Sequence, residues 1–321
     1  MKTPFRLAVA LTALACVAAT FVQSKDPEAV LKAINDYRSK AVADARAAGT
    51  QVDLAAINAE ALKMAQAGIE GIEPDKVEAP KAYAWAQVFS LAGKHETVCD
   101  LCEKYLTANP GPQEKYAAQM LMLNSCNTLG EGEMIAHTLP GVSAPDLATS
   151  QALLRTVVSA YSDTIAEDMG MDAAFKAIDN ALAQVKFESP EEYAARMLPS
   201  YKGRNLKNAD GTDMTEAQLT AMLVTSGKSV NDSLPYMAAD KKSSLLMDAG
   251  KKDEALKVLK AFVADRDPSS AYVRRANSAI KQAEIVGSPA VPLVFDRQYG
   301  EFEGLDKWLG KVVIIDFTAH W

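Results

Sequence analysis

Cys99-Asp-Leu-Cys102 sets two thiols three residues apart, the spacing of a pair that can exchange with disulfides. Exchange runs through a thiolate, which the dipole and free amide groups of a helix N-terminus favour. The surrounding pattern predicts a helix over 94–108, so Cys99 falls well inside it and away from that terminus. His95, Cys99 and Cys102 also stand at i, i+4 and i+7. One helix face could therefore present three soft ligands, with Cys126 as a fourth from the next helix, the set for a tetrahedral zinc or copper(I) site. A third reading competes with both: the same residues fill apolar packing positions, where free cysteine behaves as a small hydrophobe.

Other side chains that carry catalysis are sparse. The histidines are His95, His137 and His320, and no Gly-x-Ser-x-Gly, phosphate-binding loop or His-Glu-x-x-His occurs. Glu191-Glu192, and Asp163 with Glu167, fall on solvated faces of predicted helices, whereas paired carboxylates need a cleft to act as acid and base. No cofactor is implied.

The elements that position these residues are helical from Asp26 to Val286, where Ala, Leu, Lys, Glu, Gln and Met abound and β-branched runs are rare. Asp26-Pro27, Ala79-Pro80, Gly111-Pro112 and Ser189-Pro190 read as helix starts, and Gly93, Gly130 and Gly250 as stops or tight turns. The predicted helices run near 27–48, 52–70, 80–92, 94–108, 112–129, 145–168, 171–186, 190–198, 214–226, 235–249, 252–265 and 269–285. Tyr201 to Asp213 reads as an exposed loop.

Laying Gly93 over Gly250, an offset of 157, aligns Ala92-Gly-Lys-His-Glu-Thr-Val-Cys-Asp-Leu-Cys with Ala249-Gly-Lys-Lys-Asp-Glu-Ala-Leu-Lys-Val-Leu. Tyr105 then faces Phe262. Gly93 and Gly130 are separated by 37 residues. The pattern resembles the tetratricopeptide repeat, a helix, a Gly-bearing turn and a second helix, whose stacked hairpins often leave a concave surface for a protein partner. An irregular bundle without such a groove is the alternative. Under the alignment Cys99 matches Leu256, Cys102 matches Leu259, and Cys126 falls on Phe89 and hence Leu246. Cys99, Cys102 and Cys126 are thus read as structural thiols, with no metal.

The chain has 321 residues, enough for two domains, with 49% hydrophobic and 23% charged residues. A net charge of −7 argues against nucleic acid or an anionic membrane as partner. Residues 1–24 combine Lys2 and Arg6 with an apolar stretch from Leu7 to Val22 and small residues after it, the pattern of a secretory signal. Val17-x-Ala19 and Val22-x-Ser24 are both cleavage signals by type. Lipid anchoring through Cys16 is not adopted, because Ala13-Leu14-Ala15-Cys16 puts its Leu one place from the usual position. No other apolar run is long enough to span a bilayer. The expected location is periplasmic or secreted. Three cysteines then remain, an odd number that leaves one unpaired or intermolecular, and an oxidising compartment favours a disulfide, Cys99–Cys102 or Cys99–Cys126.

At the other end, Gly310-Lys-Val-Val-Ile-Ile-Asp-Phe-Thr-Ala-His-Trp321 joins a Gly-Lys turn, a strand apolar on both faces (Val312 to Ile315), and Asp316-Phe317-x-Ala319-x-Trp321. A strand covered on both faces needs such an apolar run. Val291–Phe295 and Tyr299–Phe302 read as two short strands before it, and Leu305–Leu309 as a helical turn. This segment, Gly287 to Trp321, resembles the run into the active site of thioredoxin-like proteins, where a Cys-x-x-Cys pair follows the Trp. Peroxiredoxins carry a proline-containing turn shortly before their cysteine, and none stands here, so the likeness is to the thioredoxin or TlpA-like type. The resemblance implies that Asp316 is a buried carboxylate behind the cysteine pair, that Trp321 shields it, and that the pair itself is missing from this chain.

The expected architecture is mostly α: a signal over 1–24, a tetratricopeptide-like helical domain over 25–286, and the first strands of an incomplete thioredoxin-like α/β domain over 287–321. The resemblance implies a thiol–disulfide oxidoreductase acting on a protein disulfide substrate or redox partner. The competing expectation is a non-enzymatic envelope scaffold that binds a protein through its helical repeats.

Overall fold

Helix starts in this chain are written in prolines and short polar caps. Asp26 accepts from Glu28 N at 3.3 Å ahead of Pro27. Ser189 and Glu192 exchange bonds, Ser189 N donating to Glu192 Oε2 at 2.8 Å and Glu192 N to Ser189 Oγ at 3.1 Å, ahead of Pro190. Each satisfies amides that the first helical turn leaves without partners. The computed structural model describes residues 26–204, 206–208, 210–285, 289, 300 and 304–314.

Those residues are mostly helical: α1 (Pro27–Ala47), α2 (Leu54–Gly68), α3 (Ala79–Leu91), α4 (His95–Leu106), α5 (Pro112–Leu129), α6 (Gly132–Thr138), α7 (Leu147–Thr156), α8 (Ser162–Met169), α9 (Met171–Gln184), α10 (Pro190–Lys202), α11 (Glu216–Asp248), α12 (Lys252–Ala264) and α13 (Ala271–Ile285). Among them no helix is long and apolar enough to cross a membrane. The expected exposed loop after α10 is closed by an isolated antiparallel bridge between Lys207 and Asp213.

The chain divides into two compact units, Met1–Ala238 and Ala239–Trp321, a division that falls within α11. In the first, neighbouring helices pack in chain order from α1 to α6, and α6, α8 and α9 pack on one another. Its core includes Ile34, Val98, Leu101, Leu123, Leu153 and Ile178, all essentially without solvent contact. In the second, Leu256 and Leu259 of α12 pack on Ile280 of α13.

The turns that match at offset 157 are built alike. Gly93 has φ 74° and Gly250 φ 73°. Gly93 N donates to Ser90 O and Lys94 N to Phe89 O, and Gly250 N donates to Met247 O and Lys251 N to Leu246 O. Gly130, at φ 79°, repeats the arrangement through Asn127 O and Cys126 O. This is the left-handed C-terminal cap in which glycine avoids a Cβ clash while orphan carbonyls find donors. Phe89, Cys126 and Leu246, the aligned acceptors, are all buried.

Two helix expectations need correction, and one strand is not shown. The helix predicted over 145–168 is interrupted by a π turn at Val157–Tyr161. The helices predicted over 214–226 and 235–249 are one helix, α11, with Pro235 inside it. Proline there removes a single backbone donor, a loss the long helix carries without ending. The strand predicted from Val312 shows no pairing at Val312–Ile314, where Val312 is 94% and Ile314 90% exposed. No described strand lies beside it to cover its faces. Leu305–Trp308 is a 3₁₀ turn, close to the helical turn expected. Apart from Gly300, the strands expected at 291–295 and 299–302 lie outside the described residues, as do Cys16, Asp316, Trp321 and the signal segment.

Candidate functional site

The α4–α5 hairpin gathers the cysteines. Helix α4 turns Val98, Leu101 and Cys102 inward and leaves Cys99 half-buried at its edge. Helix α5 starts at Pro112, with Gly111 N donating to Glu114 Oε2 at 2.8 Å, and brings Met122, Ser125 and Cys126 to the facing side. The antiparallel register then fixes the partners. Cys99 Sγ lies 3.5 Å from Cys126 Sγ, and His95 Nδ1 lies 3.3 Å from Ser125 Oγ.

All three cysteines in this region are free thiols. Of the two disulfide partners open to Cys99 in the sequence, the fold brings Cys126 to it, across the hairpin. The thiol–thiol hydrogen bond with Cys126 raises the pKa of Cys99, with burial adding to the rise, while the same bond lowers that of Cys126. Burial pushes Cys102 up to about 12. With their protons held, Cys99 and Cys102 are poor nucleophiles at neutral pH, unlike a pair at a helix N-terminus. Among the described residues no group of three or more His, Cys, Asp and Glu side chains is placed to hold a metal ion. His95 is turned to Ser125, a hydroxyl neighbour on α5.

A second feature lies just past the C-terminal end of α5. Helices α6, α8 and α9 enclose a cleft of about 780 Å³ whose lining includes Met134, His137, Asp168, Met169 and Lys176. Gly132 makes it possible for α6 to approach α8: a Cβ there would stand 2.5 Å from Thr164 O and 2.9 Å from Ile165 Cα. Asp168 Oδ2 accepts from Glu133 N at 2.8 Å and so caps α6 from the neighbouring helix. Met134 and Met169 remain 41% and 47% exposed on the walls. The cleft thus offers flexible apolar thioethers beside charged groups of both signs, a surface suited to side chains of another molecule.

No family model matches the chain. Neither curated proteins nor solved structures yield a match.

The cleft is not legible in the sequence, because no local pattern predicts α6. Its seven residues begin with glycine and are too short for a helical period to emerge, and only Gly132 and Ile135 of the helix are buried. Asp168, capping from 35 residues away, supplies what the local sequence lacks. Asp316 and Trp321, the residues assigned supporting catalytic roles, lie outside the described residues.

Proposed function

We propose that this chain is part of an exported thiol–disulfide oxidoreductase of the thioredoxin or TlpA-like type, with the helical hairpins as a protein-docking part. The observation that carries the reading is the sequence from Lys311 to Trp321: an apolar run followed by Asp316-Phe317-x-Ala319-x-Trp321. The reading requires a Cys-x-x-Cys pair directly after Trp321 in the gene. The first cysteine, a thiolate at a helix N-terminus, attacks a substrate disulfide and expels one substrate thiolate. The second attacks that mixed disulfide and expels the other. The enzyme ends oxidised, the substrate reduced, and two protons end on the substrate sulfurs. Asp316 accepts the proton of the resolving thiol, and Trp321 forms a wall of the site. Lys2, Arg6 and the apolar segment after them support export to the periplasm or beyond.

A second reading, a non-enzymatic envelope scaffold, is favoured by the cleft between α6, α8 and α9, whose exposed Met134 and Met169 suit a protein partner. Sequencing the gene past Trp321 separates the two. A Cys-x-x-Cys pair supports the oxidoreductase; its absence leaves the scaffold.

A further inference from the structure

We infer that Cys99 and Cys126 are an oxidisable pair that closes into a disulfide clasp across the α4–α5 hairpin, with Cys102 left as a free, buried thiol. The inference is independent of the oxidoreductase reading, because it concerns only the helical body. Three observations carry it. The two sulfurs are 3.5 Å apart, so bonding requires an approach of only about 1.5 Å. Cys99 is half-exposed, giving an oxidant one sulfur to reach, while Cys126 waits behind it, buried. Cys102, one turn along α4, is fully buried among core residues and is not the contact that Cys99 makes.

The oxidant is a low-molecular-weight disulfide. Cys99, the sulfur the oxidant can reach, gives its proton to a base in solution and becomes the attacking thiolate. Cys99 attacks one sulfur of the oxidant, forming a mixed disulfide and expelling one thiolate. Cys126 then loses its proton and attacks Cys99 Sγ, which forms the Cys99–Cys126 bond and expels the second thiolate. The protein loses two electrons and two protons; the oxidant becomes two thiols. The closed loop runs over α4, the Gly111-Pro112 turn and most of α5. Its closure restricts the unfolded chain and fixes the register that the Gly111 turn sets.

The test uses the reduced protein equilibrated with oxidised glutathione, alkylated under denaturing conditions, digested with trypsin and mapped by mass spectrometry. Cys99 and Cys102 share the peptide that follows Lys94, so fragment ions must place the link. The expected product is that peptide joined through Cys99 to the peptide holding Cys126, two hydrogens lighter than the separate peptides, with Cys102 alkylated. The thermal midpoint of the oxidised form should exceed that of the reduced form by on the order of 5–10 °C. In a Cys126→Ala variant, glutathione should remain on Cys99 as a trapped mixed disulfide. A Cys99–Cys102 link, stable glutathione on Cys99 of the unaltered protein, or recovery of all three thiols free would each overturn the inference. Should the variant fail to fold, the mapping on the unaltered protein decides alone.

Discussion

Tyr161 donates its phenolic hydrogen to Asn124 Oδ1 at 2.7 Å, tying the end of the π turn to α5. One turn on, Thr164 Oγ1 donates to Asn127 Oδ1, also at 2.7 Å. Tyr161 is fully buried and its burial holds the phenol protonated far into the alkaline range. These two rungs set α8 against α5, and α8 forms one wall of the cleft. Tyr161→Phe keeps the ring and deletes the bond, and a loss of about 1 kcal/mol is expected, since the half of the bond on Asn124 can turn to water. Urea unfolding measures it, and an unchanged midpoint would remove the rung from the fold's support.

Gly132→Ala should be the costlier change. Its new methyl would lie against the backbone of Thr164 and Ile165, which cannot rotate away as a side chain could. A destabilisation of about 1–3 kcal/mol is expected, with α6 displaced from α8. Amide exchange should rise at Glu133, whose N–H bonds to Asp168. A stable variant with Glu133 still protected would show that the close approach is unnecessary.

The alkaline limb of stability should carry the thiols. Cys102 has a folded-state pKa raised from 9.0 to about 12 by burial. A raised pKa stabilises the fold below the unfolded value, and the contribution is lost as pH climbs from 9 toward 12, because the unfolded chain releases its proton first. Stability should therefore be level across neutral pH and decline above pH 9, less steeply in Cys102→Ala once its own cavity cost is subtracted. Equal slopes in the two proteins would contradict the assignment. Iodoacetamide should also label Cys99 before Cys102 in the folded, reduced protein, following exposure.

Helix boundaries set by local chemistry were legible in the sequence: Pro27, Pro112 and Pro190 open helices, and Gly93, Gly130 and Gly250 close them with the same two backbone bonds. What failed to show was set by distant partners. The π turn at Val157–Tyr161 includes a tyrosine bonded to a residue 37 positions away, and α6 owes its cap to Asp168. Pro235 reads locally as a start, yet α11 passes through it. For the thiols, spacing alone allowed Cys99 to meet Cys102 or Cys126; the register of α4 on α5, set through the Gly111-Pro112 turn, brings Cys126 to it. The exposed Val312 and Ile314 illustrate the converse, since an apolar strand pattern has meaning only with neighbours to pair.

Export is open to direct measurement. Mass spectrometry of the protein recovered from its source should show loss of roughly the first 19–24 residues, the range set by the two cleavage signals. An intact Met1 on the cellular protein would remove the compartment from the functional proposal, and with it the expectation of an oxidising environment.

The most direct test of the oxidoreductase is the activity of the product encoded by the complete gene. It should reduce insulin disulfides in the presence of a thiol reductant, giving the turbidity of released B chain, and Asp316→Ala should slow that reaction on the order of tenfold or more by removing the proton acceptor. A complete gene product that carries no cysteine pair after Trp321, or that carries one and leaves insulin intact, would contradict the enzymatic reading.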